Sequence, residues 1–65
     1  MRPEDIEIGN VYETHTGKLW EVVSAAGSAL LIARVDSPRP PFEVDVDEFA
    51  SLVFRAVRMD QGAQL

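Results

Sequence analysis

The side chains of this chain that could do chemistry are His15, the serines Ser24, Ser28, Ser37 and Ser51, and the acids Glu43, Asp45, Asp47 and Glu48. A general base must be oriented toward a nucleophile, preferably in a pocket. His15 is the sole histidine and sits in Thr14-His15-Thr16-Gly17-Lys18, which reads as a turn. An exposed turn ring is the simpler assignment for it. None of the serines lies in a Gly-x-Ser-x-Gly elbow. Gly9, Gly17, Gly27 and Gly62 are too dispersed to cradle a phosphate. No catalytic constellation and no cofactor motif emerge, and the chain reads as non-enzymatic.

The acids are denser. A hard cation such as calcium wants about six to eight oxygens from a suitably spaced loop. Here the acids alternate along a strand and then meet a helix start, with no EF-hand-like glycine after them. A solvated strand face plus a helix cap accounts for them without a metal. As a row of carboxylates they could also imitate a phosphate backbone and occupy a DNA-binding protein, helped by electrostatic steering. Pro38-Arg39-Pro40-Pro41 has the Pro-x-x-Pro spacing of a polyproline II ligand. Between two strands, such prolines more simply stiffen the loop and lower unfolded-state entropy.

The balance of charge narrows the classes further. Eleven acidic and six basic side chains give a net charge of −5, whereas nucleic-acid binding draws on Lys and Arg to neutralise phosphates. With 65 residues the chain reads as one domain, 1–65, with an ordered core over about 6–58 and a flexible tail over 59–65. A chain this short buries only about 60% of its unfolded surface. Its net stability is then of order 3–5 kcal/mol. The absence of cysteine excludes disulfides and thiolate metal sites and suits a reducing compartment. The start, Met-Arg-Pro-Glu-Asp, has no apolar h-region, and the apolar run Ala29 to Ala33 is far short of a membrane span. These features read as a soluble cytoplasmic protein.

The elements that must position these groups are short strands. Ile8 to Thr14 reads as the first, and a glycine turn at Gly17 would set Tyr12 opposite Trp20, an aromatic cross-strand pair. Lys18 to Asp36 reads as a hairpin with Ala26 and Gly27 at its tip. That register pairs Trp20 with Ala33, Val22 with Leu31 and Ser24 with Ala29 on the core face. The other face then pairs Val23 with Leu30, Glu21 with Ile32 and Leu19 with Arg34. Both faces are apolar, which a half-buried strand does not require. Leu19, Glu21, Val23, Leu30, Ile32 and Arg34 are therefore a candidate interface, and a one-residue slip would exchange the faces. Phe42 to Val46 alternates, with Phe42, Val44 and Val46 inward. Asp45 can cap a short helix over about 47–52, with Glu48 returning the bond in a capping box. Phe54 to Arg58 reads as a last strand.

Five strands, a proline loop before the fourth and a helical turn before the fifth resemble the SH3-like small barrels, an all-β fold whose closure removes exposed edges. The runner-up is an open, strongly bent antiparallel sheet with the helix on one side. Gly9 with Tyr12, Gly17 with Trp20-Glu21-Val22, and Phe49 with Phe54 also resemble small proteins of unassigned function from bacteriophages and prophages. That resemblance implies an accessory protein of a phage or mobile element. The leading expectation is a protein-interaction module, homodimeric through the hairpin's second apolar face, since exposed apolar patches mark interfaces and symmetric pairing covers them. The alternative is an acidic inhibitor or nucleic-acid mimic acting through Glu43, Asp45, Asp47 and Glu48. A nucleic-acid-binding small barrel ranks third.

Overall fold

Turn chemistry and alternation divide the chain into five strands. The computed structural model describes residues 1–57, so the tail expected over 59–65 lies outside the described residues. After a 3-10 turn at Pro3–Asp5 come β1 (Val11–Thr14), β2 (Leu19–Ala26), β3 (Ala29–Arg34), β4 (Phe42–Asp45), α1 (Val46–Leu52) and β5 (Val53–Val57). All ladders are antiparallel, in the order β4-β3-β2-β1-β5. β1 to β4 lie side by side in sequence order, and β5 returns to pair with β1. Among the described residues no ladder joins β4 to β5, so the sheet is open and the expected closure into a barrel is not seen.

The β1–β2 turn follows the sequence. Gly17 takes φ +85°, its N–H donates to the Thr14 carbonyl at 2.8 Å, and Tyr12 pairs with Trp20. The β2–β3 hairpin does not follow it. Its tip is Gly27-Ser28, between the paired residues Ala26 and Ala29. Gly27 has φ +62°, while among the described residues none other than glycine has positive φ, as a type II′ turn requires of its first central position. A bulge between Val22 and Ser24 then leaves Val23 without a partner, and the ladder continues as Val22 with Ile32, Glu21 with Ala33 and Trp20 with Arg34.

This register exchanges the expected faces of β3. Leu30 and Ile32 are buried, whereas Leu31 and Ala33 are only half-buried. The core joins Tyr12, Val22, Leu30, Ile32, Phe49 and Val53, with Trp20, Val44 and Val46 packed against it. Phe49 meets Tyr12 edge to face at 6.1 Å between centroids, a favourable aromatic geometry.

α1 starts where the acids predict. The Asp45 carboxylate accepts from the N–H groups of Asp47 and Glu48 at 3.0 and 3.3 Å, satisfying two donors the first turn leaves open. The reciprocal bond from the Glu48 side chain is not found among the described residues, and the capping box is half made. Of the apolar α1 positions, Phe49 turns into the core and Leu52 stays outside at 49% exposure.

Candidate functional site

Between β4, α1 and the β1–β2 turn lies a groove of about 400 Å³. Ile32 of β3 and Phe49 of α1, both buried, form its floor. Trp20 of β2 and Phe42 of β4 make one wall, edge to face with centroids 5.5 Å apart. Leu52 and the β1–β2 turn residues Thr14, His15 and Thr16 make the opposite side. Phe42 was expected inside; it pairs with buried Ile32 yet is 48% exposed, at the edge of the sheet where, among the described residues, no further strand lies beside β4. A pocket of this size, apolar with a few polar groups, has the character of a ligand or peptide site.

The polar lining has one sign. Among the described residues, Glu43, Asp45 and Glu48 border the groove and no Lys or Arg does. The ion pairs among the described residues are Arg2–Glu4, Arg34–Asp36 and Arg55–Glu13, none of which uses a groove acid. A cleft lined by like charges with apolar walls focuses its field and draws in counter-charge. The threonines are occupied with each other: Thr14 Oγ1 lies 3.1 Å from Thr16 Oγ1 and 3.4 Å from the Lys18 carbonyl. His15 donates its backbone N–H to the Leu52 carbonyl at 3.0 Å, and its ring rests edge-on against Phe54 at 5.6 Å. Among the described residues there is no group of three or more His, Cys, Asp or Glu placed to hold a metal ion.

The structure divides the candidate interface. Leu30 and Ile32 belong to the core, the latter also to the groove floor, and so cannot line an outer face. The cause is the Gly27-Ser28 tip together with the Val23 bulge, which moves the register by one and turns those side chains over. Val23 is exposed, Leu19 half-buried and Glu21 exposed. Arg34 covers Trp20 instead, with its guanidinium carbon 5.3 Å from the ring centroid and an ion pair to Asp36 at 3.0 Å. The acidic group is kept together: three of its four members border the groove, and Asp47 lies outside the lining.

Phe42 and Leu52 are groove residues that the sequence did not single out, and Trp20 was assigned to the core face alone. Phe42 carried a signal, being an aromatic placed directly after Pro41 on a strand that prolines confine to an edge. Comparison with family models, curated proteins and solved structures finds no match. Among the described residues, no helix is long and apolar enough to cross a membrane.

Proposed function

We propose that this chain is a non-enzymatic protein-interaction module whose docking site is the groove between β4, α1 and the β1–β2 turn. An accessory role in a phage or mobile element is proposed from the resemblance of Gly9, Tyr12, Gly17, Trp20, Phe49 and Phe54 to the pattern of such proteins. The fold is read as an SH3-like barrel left unclosed along β4. The observation that carries the reading is the apposition of exposed Phe42 and Leu52 with half-buried Trp20 beside three acidic residues, Glu43, Asp45 and Glu48. It supports a partner segment that is both apolar and cationic. The acidic face and the apolar surface, separate in the sequence, then act as one site. Homodimerisation through the hairpin ranks behind this, since two of its four apolar contributors are inside the core.

Selection from a random peptide library displayed on a carrier tests the reading. Enriched peptides are expected to combine Lys or Arg with apolar residues and to change the fluorescence of Trp20, the single tryptophan. Leu52→Asp should weaken them at least about tenfold, because it puts a carboxylate on the apolar wall without touching the core. Val23→Asp, on the hairpin, should leave them unchanged. The reverse pattern, or peptides insensitive to Leu52, overturns the assignment.

A further inference from the structure

We propose that the groove's occupant is an extended partner segment that adds as a strand to β4, with cationic and apolar side chains in alternation. This rests on the reading of the groove as a docking site and specifies the mode. Among the described residues β4 is hydrogen-bonded only to β3. Val46 N–H donates to the Ser28 carbonyl at 2.7 Å, and the ladder then pairs Val44 with Leu30 and Phe42 with Ile32. Bonded and non-bonded pairs alternate in an antiparallel ladder. Phe42 and Val44 therefore turn their backbone groups toward β3, and Glu43 and Asp45 turn theirs to the open edge. The Asp45 carbonyl is the N-cap carbonyl of α1. The edge accordingly offers the Glu43 N–H and carbonyl and the Asp45 N–H, three groups that a strand can take up by augmentation.

Side-chain alternation sets the chemistry of the guest. On β4, Phe42 and Val44 face one way and Glu43 and Asp45 the other. A strand laid beside β4 puts every second side chain against Phe42 and the groove. The others come opposite Glu43 and Asp45, where Lys or Arg is the matching cross-strand neighbour. The edge is also bounded. Pro40 and Pro41 precede it and α1 follows at Val46, so only about four residues of guest can pair. Such bounding is how an open edge avoids unlimited pairing with other chains.

Titration with a blocked seven-residue peptide alternating lysine and valine, followed by amide NMR, tests this. Saturable binding is expected, with the largest shifts at Phe42, Glu43, Val44 and Asp45, and slowed hydrogen exchange at the Glu43 amide. Glu43→Gln should weaken binding a few-fold through charge alone. Glu43→Pro, whose lost N–H faces outward and leaves the β3 ladder intact, should weaken it at least tenfold more. Each variant's unbound amide spectrum reports whether it is folded. If Glu43→Pro binds no worse than Glu43→Gln while Leu52→Asp still abolishes binding, the groove docks its partner without strand addition and the inference fails alone. If a glutamate–valine peptide binds equally well, the cationic pattern is wrong. If the lysine–valine peptide does not bind, or the chain is a dimer through β4 that it cannot displace, the proposed occupant is wrong.

Discussion

The Tyr12 hydroxyl gathers the whole N-terminal segment. It accepts from Glu7 N–H at 2.8 Å and from the Asn10 side-chain amide at 3.4 Å, and it donates to the Asp5 carbonyl at 3.4 Å. The ring is buried in the core, so the phenol is one side chain serving two purposes. Tyr12→Phe keeps the ring and strands the Glu7 donor, which costs about 1–2 kcal/mol. A lower urea midpoint at unchanged slope is the expected reading. Asp45 is a second residue with two duties, capping α1 and bordering the groove. Asp45→Ala should cost about 1 kcal/mol, whereas Asp45→Asn keeps an N-cap acceptor and most of the stability. Both should weaken a cationic guest, because both remove the charge. Equal stability losses in the two variants would show that the carboxylate's charge, rather than its hydrogen bonds, supports the helix.

At the level of elements, the β2–β3 hairpin shows what the sequence could and could not convey. Its existence was legible from two apolar runs around Gly27, and the Tyr12–Trp20 pair from the Gly17 turn. The capped helix was legible from Asp45 and its neighbours. The faces were not legible, because alternation has no reference point when both faces are apolar. The choice then rests on which residues form the tip and on Val23, an extra residue that the pattern does not mark. The groove was hidden for another reason, since it depends on how β4, α1 and the β1–β2 turn come together, which no local pattern records. Deleting Val23 tests the hairpin's logic. Ser24 already pairs with Leu31 and Val22 with Ile32, so the deletion should regularise the ladder without turning any side chain over. Cross-strand NOEs from Val22 to Ile32 and from Trp20 to Arg34 are expected to survive it. Their loss would mean that the bulge fixes the register.

For the whole molecule, the decisive quantity is how small the stability of a chain this size is. A domain held by roughly 3–5 kcal/mol cannot lose a buried ring: Phe49→Ala removes about that much on its own. Circular dichroism should show that variant largely unfolded at 25 °C, although Phe49 is 2% exposed and also lines the groove floor. Site and core share side chains here, so a loss-of-binding variant at Phe49 would say nothing about docking. The same small margin makes ligand binding easy to detect. A guest at a hundred times its Kd adds about 2.7 kcal/mol to the folded state. In a domain this short each kcal/mol moves Tm by about 4–8 °C, so the lysine–valine peptide should raise Tm by roughly 10–20 °C at that excess. Leu52→Asp, whose side chain lies outside the core, should keep the unliganded Tm within a few degrees and remove most of the rise. A full rise in that variant would place the peptide elsewhere on the acidic surface, held by net charge alone, and 0.5 M salt would then abolish the effect by screening.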